Sequence, residues 1–276
     1  MTQAGLSPTC SVLAYDEHGA EREVQIAGER PLTIYLDRRE IVTLMTLGRH
    51  PEALVLGYLK NQNLIRNIEN VTAIQVDWET SAAAVTTTSP IADLDQKLAK
   101  KTVTTGCGQG TMFGEIMESL DDVKLQPPRL KQSVIYDLLY NMREYNDVYK
   151  SAGAVHGCAL CEQDKILTFI EDVGRHNAVD AIAGIMWLEY LTGDQKIFYT
   201  TGRLTSEMVI KVSQMGISIL LSRSGVTQMG LELAQKTGVT MIARAKGKHF
   251  LVFTGKELID FDAKDYISPS RRSKIK

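Results

Sequence analysis

The pair Pro127-Pro128 is the feature of this sequence that most restricts its possible folds. Adjacent prolines lack the amide hydrogens that helices and sheets require, so no regular element is expected to run through them. The hydrophobic pattern also changes at this point. The sequence therefore predicts two domains, at residues 1–126 and 127–276.

Short strands dominate the first of these domains. Alternating apolar residues predict hairpins over residues 11–26, 32–44 and 73–88, each with a polar turn. One helix is predicted over residues 51–61, because the proline at its start suits a first helical turn. We therefore expect a smaller, strand-rich α+β domain at the N-terminus.

After the two prolines, helices and strands alternate. The predicted elements are a helix at 133–149, a hairpin at 154–170, helices at 178–186, 207–215 and 228–236, and strands at 196–200, 217–221, 240–243 and 250–253. Such alternation is typical of an α/β layer with a largely parallel or mixed sheet.

Composition narrows the class of protein. The chain has 276 residues, 44% of them hydrophobic, which is enough for a real core, and only four cysteines, too few for a disulfide framework. Its formal charge of -2 gives no overall attraction to nucleic acid, and no apolar run approaches the roughly 20 residues that span a bilayer. The first ten residues have neither the basic start nor the apolar core of an export signal. We therefore expect a cytoplasmic protein without nucleic-acid or membrane partners, in which any basic site is local.

Cys107 is the cysteine with the most open local sequence. It lies in the stretch at residues 104–111, where Gly106 and Gly108 flank it directly. Lysines precede this stretch and a helix is predicted to follow it, and both features favour a thiolate, the form that attacks sulfur electrophiles. A linker cysteine without a role is the alternative, and the sequence leaves both interpretations open.

Cys158 and Cys161 form a Cys-x-x-Cys pattern that would suit zinc or dithiol chemistry in a helix or a knuckle. Here they lie on a predicted strand, where residues three apart face opposite sides, whereas His156 and Cys158 share one face. We therefore interpret both cysteines as buried structural residues and expect no zinc.

Three predicted strand-to-helix junctions each carry an arginine. At residues 171–180, Arg175 and a helix N-terminus could hold an anion. The alternative is that these residues form an Asp/Arg ion pair and a helix cap, and the sequence leaves both interpretations open. The other two junctions would line the ligand crevice of an open α/β sheet, although helix caps use the same residue types. Their candidate partners for phosphate or a base edge are Arg203, Ser222, Arg223, Ser224 and Thr227.

A run of basic residues separates the last two predicted strands: Arg244, Ala245, Lys246, Gly247, Lys248 and His249. Arginine and lysine around a glycine could hold a pyrophosphate, or the run could be a solvated hairpin turn. The glycine motifs of Rossmann and P-loop nucleotide sites are both absent from the sequence.

Four stretches taken together, at residues 29–32, 105–108, 171–180 and 201–203, resemble the formate dehydrogenase accessory sulfurtransferase (FdhD) family. Their order matches over nearly the whole chain, and Glu-Asp-Val-Gly-Arg-His-Asn-Ala-Val-Asp is the most specific of them. The resemblance implies a cytidine deaminase-like α/β fold for the C-terminal domain. It does not imply deaminase chemistry, because His156-Gly157-Cys158 lacks the catalytic glutamate of a zinc deaminase.

The same resemblance implies a function. Members of the family take sulfur from a cysteine desulfurase and pass it to the molybdenum or tungsten bis(molybdopterin guanine dinucleotide) cofactor of formate dehydrogenase. They are expected to bind this cofactor through its guanine nucleotide ends, so that a guanine nucleotide is a partial mimic, and to form homodimers. The family's persulfide cysteine maps to Cys107 and its cofactor-binding stretch to residues 244–249.

One departure from the family pattern is Gly110, which stands where a second loop cysteine is common. A mechanism that needs both thiols would fail here, whereas sulfur transfer through a single persulfide on Cys107 remains chemically possible. The alternative is a chaperone that inserts or protects the cofactor without moving sulfur. A nucleotide-modifying enzyme is a third hypothesis.

Overall fold

The structure is a computed structural model that describes residues 1–89, 91, 94, 102, 103, 110, 111, 120 and 123–269. It has a mixed α/β architecture with two compact units, each assembled from three chain segments. Unit 1 comprises residues 1–114, 147–156 and 170–191, and unit 2 comprises residues 115–146, 157–169 and 192–276. The boundary expected between residues 126 and 127 therefore falls inside unit 2.

Within residues 1–89 the structure consists of hairpins and one α-helix, as the hydrophobic pattern predicts. The elements are β1 (Thr9–Tyr15), β2 (Glu21–Ala27), β3 (Arg30–Leu36), β4 (Arg39–Thr46), α1 (Pro51–Asn61), β5 (Val71–Asp77), β6 (Ala82–Thr87), β7 (Thr102–Val103) and β8 (Gly110–Thr111). A four-stranded sheet has the order β4-β3-β6-β5. Leu32, Ile34 and Leu36 of β3 are fully buried, because alternate side chains of a strand point to the same face.

The helix predicted over residues 133–149 is in fact two helices. Helix α2 (Gln132–Asn141) is followed by a 3₁₀ turn (Met142–Glu144), and α3 (Asp147–Ala152) begins after it. The amide of Asn146 donates to the carbonyl oxygen of Met142 at 2.6 Å. This side chain thereby competes with helical backbone bonding, which gives a physical reason for the break. The chain also passes from unit 2 to unit 1 at this point.

Glycines set the contact between α1 and the helix α4 (Arg175–Leu188) within unit 1. A Cβ atom at Gly57 would overlap the carbonyl oxygen of Asp180, and one at Gly184 would overlap that of Ala53. The amide of Asn61 adds a hydrogen bond of 2.7 Å to the Asp180 carboxylate. The two helix backbones therefore approach closely only because these positions lack side chains.

Unit 2 is built on a six-stranded sheet, which confirms the predicted α/β class; the deaminase-like detail stays a prediction. The remaining elements are β9 (Leu130–Lys131), β10 (His156–Glu162), β11 (Lys165–Asp172), β12 (Lys196–Thr200), α5 (Ser206–Gln214), β13 (Ile219–Ser222), α6 (Gln228–Thr237), β14 (Thr240–Lys246), β15 (His249–Val252) and β16 (Ile259–Asp260). The sheet has the order β11-β10-β12-β13-β14-β15, with β12, β13 and β14 parallel to one another and β10 and β15 antiparallel to their neighbours β12 and β14. Strand β11 passes into unit 1 after Phe169.

Helix α2 covers one face of this sheet. Leu138 of α2 and Met142 of the following 3₁₀ turn share a buried cluster with Tyr199 of β12, Leu221 of β13 and Ala245 of β14. The C-terminal end of α2 is thereby brought to the part of the sheet where these parallel strands end. No helix in the described part of the chain is long and apolar enough to cross a bilayer.

Candidate functional site

The candidate site lies at the edge of the unit 2 sheet where β12, β13 and β14 end. The Ser222 hydroxyl donates to the carbonyl oxygen of Gly202 at 2.6 Å and accepts from the amide of Ser224 at 2.9 Å. The amide of Arg244 donates to the carbonyl oxygen of Ser224 at 2.9 Å. These bonds fix the loops after β12 and β13 and the end of β14 to one another. In open α/β sheets, this edge is where ligands bind.

A β-bulge shapes the end of β14. The pairing of β14 with β15 shifts between Ala243 and Lys246, and Arg244 has a φ of 52°, in the left-handed region that non-glycine residues seldom adopt. Gly247 follows with a φ of 61°, which the turn into β15 requires. The bulge leaves Ala245 fully buried, while Lys246 and Gly247 are exposed.

These elements enclose a cavity of about 130 Å³, which we call the sheet-edge cavity. Its apolar lining residues are Leu139, Met142 and Ala245, and the others are Arg143, Asn146, Tyr199, Arg223, Lys246 and Gly247. No carboxylate is among the described residues that line it. Within residues 123–269, none of its three cationic side chains forms an ion pair. The cavity therefore has an uncompensated positive charge.

Tyr199 holds one of these cations in place. Its side chain is 1% exposed, and this burial raises the pKa of its hydroxyl, while the charge and the hydrogen bond of Arg223 act in the opposite direction. The hydroxyl stays neutral and offers an acceptor to the Arg223 guanidinium. The Arg143 guanidinium lies 5.5 Å from the centre of the Tyr140 ring, in a cation–π contact.

The structure brings together four of the residues that the sequence nominated: Arg223, Ala245, Lys246 and Gly247 line the sheet-edge cavity. Arg203, Arg244 and His249 are exposed and do not line it. Lys248 donates from Nζ to the carbonyl oxygen of Tyr266 at 3.3 Å. The cofactor-binding role of all these residues stays a prediction.

Two of the three nominated hydroxyl groups, those of Ser222 and Thr227, form hydrogen bonds within the fold. Ser222 is fully buried and bonded as described above. Thr227 is the N-cap of α6 and accepts from the amide of Gly230 at 3.3 Å. Ser224 is half-buried, and its main chain links the two loops. These hydrogen bonds cap a helix and connect loops, and helix capping is the alternative role that the sequence left open for these residue types.

Sequence reasoning missed Arg143, Asn146 and Tyr199. Tyr199 was included in a predicted strand without a role, and the other two were included in the helix expected over residues 133–149. The run Arg143-Glu144-Tyr145-Asn146 has little apolar character, which is the signal that could have marked a helix end there.

The stretch at residues 171–180 forms a buried hydrogen-bond network within unit 1. The two carboxylate oxygens of Glu171 accept from the amides of Val148 and Tyr149, each at 2.9 Å, and so cap α3. The carboxylate of Asp172 accepts from the Thr46 hydroxyl, the amides of Leu47 and Gly174, and the side-chain amide of Asn177. Burial raises the pKa of Asp172, and these donors act against that shift. The carboxylates are thus engaged in structural bonds.

The two cysteines of the Cys-x-x-Cys pattern are buried on opposite faces of β10, as predicted. Cys158 pairs across the sheet with Thr200 and donates from its Sγ to that hydroxyl at 3.2 Å. Cys161 lies in the cluster beneath α2, and burial raises the pKa of its thiol well above the usual range. The two sulfurs therefore lie on opposite sides of the strand and are not placed to pair with each other.

Cys10 is exposed on β1. Cys107 and the helix predicted after it lie outside the described residues, so the reactive interpretation of Cys107 stays a prediction. In sequence, the paired strands β7 and β8 flank residues 104–109.

Comparisons with known proteins complete the description of the site. Residues 27–260 match the sequence profile of the FdhD/NarQ family. The Sulfur carrier protein FdhD of Bacillus subtilis is 30% identical over 240 residues, covering 86% of this chain and 91% of that protein. The protein of the same name from Listeria innocua is 30% identical over 243 residues, covering 87% and 93%.

A solved structure is also similar. It is the crystal structure of a protein from Desulfotalea psychrophila named as a formate dehydrogenase accessory protein, with a TM-score of 0.72 and 28% sequence identity. The match covers 91% of this chain and 98% of that one.

Proposed function

Because this chain belongs to the FdhD/NarQ family, we propose that it is a sulfur carrier required for formate dehydrogenase activity. It accepts sulfur from a cysteine desulfurase as a persulfide on Cys107. It then delivers this sulfur to the molybdenum or tungsten bis(molybdopterin guanine dinucleotide) cofactor, which it binds as a substrate. In this proposal the protein is a sulfurtransferase that works in the cytoplasm as a homodimer.

The positively charged sheet-edge cavity is the observation that best supports this proposal. The substrate carries phosphate groups, and arginine and lysine are the side chains that bind phosphate oxygens most strongly. Arg223 and Lys246 line the cavity without an ion-pair partner among the described residues, although the formal charge of the chain is only -2. A basic site in a near-neutral protein supports the binding of an anionic substrate.

The other cysteines limit the choice of sulfur carrier. Cys158 and Cys161 are fully buried, so Cys10 on β1 is the alternative thiol that an experiment must exclude. In the proposed first step, the Cys107 thiolate attacks the outer sulfur of the desulfurase persulfide. A new S–S bond forms, the donor S–S bond breaks, and the desulfurase cysteine leaves as a thiolate. In the second step the S–S bond on Cys107 breaks, Cys107 leaves as a thiolate, and the outer sulfur binds the metal of the substrate as sulfide, with the two electrons supplied by that metal in its reduced state.

The experiment is mass spectrometry of the full chain after incubation with a cysteine desulfurase and cysteine. We expect an adduct of one sulfur atom on the peptide that contains Cys107, removable by a thiol reductant and absent in Cys107→Ala. Cys10→Ala is the matched control, because it removes the exposed thiol of β1 and should leave the adduct in place. An unmodified Cys107 in the wild-type chain would contradict the proposal.

Gly110 favours a second candidate function. A mechanism that needs two thiols in the stretch at residues 104–111 cannot operate here, because that stretch contains one cysteine. A chaperone that binds and inserts the cofactor needs the positively charged, anion-binding site but no thiol. The test is Cys107→Ser in cells that lack the native protein: full formate dehydrogenase activity would favour the chaperone, and loss of activity would favour sulfur transfer.

A further inference from the structure

Strands β1 and β2 of unit 1 form a two-stranded sheet that pairs with no other strand among the described residues. Residues directly opposite each other in an antiparallel pair share one face of the sheet. Leu13 lies opposite Glu23, and the next pair on the same side is Tyr15 with Glu21. These four residues therefore lie on one face of the hairpin, which we call the hairpin face.

The two large apolar side chains of the hairpin face are open to solvent. Leu13 is 65% exposed and Tyr15 is 72% exposed. A two-stranded hairpin without a covering element is only marginally stable in water, so burial of these side chains against a partner is favourable. Tyrosine is also one of the residue types that contribute most to binding at the centre of an interface. The hairpin face therefore has the apolar centre of a docking surface.

The charge of the hairpin face identifies the kind of partner. Glu21 and Glu23 are exposed, and neither forms an ion pair in the described part of the chain. The carboxylate of Asp16, at the turn, is paired with Arg22 at 3.0 Å. Two copies of this anionic face would repel each other, which disfavours a second copy of the chain as the occupant. A partner whose apolar surface is bordered by lysine or arginine is complementary to it.

The place of the hairpin in the fold indicates which partner docks there. The paired strands β7 and β8, which flank residues 104–109 in sequence, belong to unit 1, as the hairpin does. The sheet-edge cavity, which supports substrate binding, is lined by residues of unit 2. In the proposed function Cys107 receives its sulfur from the desulfurase, so the surface that holds the sulfur donor is expected on unit 1.

We propose that the hairpin face is the docking surface for the cysteine desulfurase, and that the desulfurase meets it with an apolar surface bordered by lysine or arginine. Leu13 and Tyr15 provide the apolar contact, while Glu21 and Glu23 orient the partner and speed its association. The inference rests on the proposed function, because it assigns one of the partners named there to a surface of unit 1.

The test is the affinity of the full chain for the purified desulfurase, measured by biolayer interferometry without cysteine so that no sulfur moves. Leu13→Thr/Tyr15→Thr, which introduces residues that suit strands, should weaken binding about thirtyfold, a loss typical of a truncated interface centre. Leu167→Thr is the matched control, because Leu167 is 41% exposed on strand β11, in the part that belongs to unit 2. It should bind the desulfurase as the wild type does.

A second pair of variants tests the charge of the hairpin face. Glu21→Lys/Glu23→Lys should weaken binding about tenfold, mainly through slower association. Raising the ionic strength from about 0.05 M to about 0.5 M should reduce its difference from the wild type. Glu69→Lys/Glu79→Lys is the control, because it reverses two exposed charges of unit 1 outside the hairpin. Equal affinities of the two charge variants would overturn the inference, and so would equal affinities of the two apolar variants.

Other occupants of the hairpin face are distinguished with the same proteins. The urea unfolding midpoints of the hairpin variants should match that of the wild type, because the changed side chains are exposed. Their association state in sedimentation and their binding to formate dehydrogenase should also be unchanged. Loss of self-association with desulfurase binding retained would assign the face to a second copy of the chain and overturn the inference. Loss of dehydrogenase binding alone would assign it to the dehydrogenase, with the same result.

Sulfur loading of Cys107 separates this inference from the proposed function. If the desulfurase binds through the hairpin face but Cys107 stays unmodified when cysteine is added, sulfur transfer is refuted and the docking surface is supported. If Cys107 is loaded equally fast in the wild type and the hairpin variants, at a desulfurase concentration below the dissociation constant, the docking surface is refuted and sulfur transfer stands.

Discussion

The two units use their polar side chains in opposite ways. In unit 1, the carboxylates of Glu171 and Asp172 are buried and bonded to backbone and side-chain donors. In unit 2, Arg143, Arg223 and Lys246 are exposed, line one cavity and form no ion pair in the described part of the chain. The most recognisable stretch of the sequence therefore builds structure, whereas the groups available to a ligand come from scattered positions that form no motif.

The largest expected effect is a loss of stability in unit 1, and it tests how closely helices α1 and α4 pack. Gly57→Ala should lower the free energy of unfolding by about 4 kcal/mol, because the added methyl group meets the backbone of α4. Alanine's better helix propensity, about 1 kcal/mol, should not compensate. Urea unfolding measures the change.

Gly225→Ala is the control for that variant, because Gly225 has open space around its Cβ position. It should change stability by less than about 0.5 kcal/mol. Equal urea midpoints for the two variants would show that the contact between α1 and α4 is loose.

The next effect concerns the buried network itself. Asp172→Ala should cost about 3 kcal/mol of stability, because it leaves buried donors of Thr46, Leu47 and Asn177 without their acceptor. Pyrophosphate affinity of the folded variant should be unchanged. Asp164→Ala, at an exposed turn of unit 2, is the control for removing an aspartate. A stable Asp172→Ala protein that had lost pyrophosphate binding would reverse the contrast between the units.

A smaller effect is expected in unit 2, at the residue that orients a cation. Tyr199→Phe removes the hydroxyl that Arg223 uses, and should weaken pyrophosphate binding about fivefold, the equivalent of one hydrogen bond of about 1 kcal/mol. Burial keeps this hydroxyl neutral, so the loss should be the same across the neutral pH range. Tyr190→Phe, at a tyrosine that is 75% exposed, is the control. Unchanged affinity in Tyr199→Phe would show that Arg223 needs no support.

The smallest effect is a pH dependence in unit 1. The pKa of His50, at the start of α1, is lowered mainly by burial and to a smaller extent by the charge of Arg49. The charge of Glu52 opposes this shift. The unfolded chain therefore takes up a proton near the usual value of about 6.5 before the folded chain does. Stability should be complete above that pH and should fall as the pH drops through the lowered pKa. His50→Gln should remove this part of the loss in urea unfolding at a series of pH values; an unchanged loss would assign it to other groups.

Much of the fold could be predicted because its apolar periodicity is strong. The observed bounds of α1 and of β12 are those that the sequence indicated. The opposite faces of Cys158 and Cys161 followed from strand geometry alone. The break after α2 did not, because it depends on one bond from Asn146 to a backbone carbonyl, and the apolar stripe continues into α3 at Val148.

The candidate site was only partly predictable for a related reason. Loops after parallel strands meet at one edge, and this reasoning nominated Arg223. The basic run between the last two predicted strands nominated Lys246. Arg143 reaches the same cavity through the packing of α2 on the sheet, a tertiary contact without a local signal. Ser222 and Thr227 show the converse, because hydroxyl groups that close loops and cap helices are the same residue types that bind ligands.

The discontinuous make-up of unit 1 has a consequence for protein synthesis. Gly57 of α1 meets α4, which begins only at Arg175. At translation rates of about 5–20 residues per second, the ribosome makes α4 on the order of ten seconds after α1. The nascent chain therefore carries α1 without its partner helix for that interval, and unit 1 is completed only after residues 115–146 and 157–169 of unit 2 have been made.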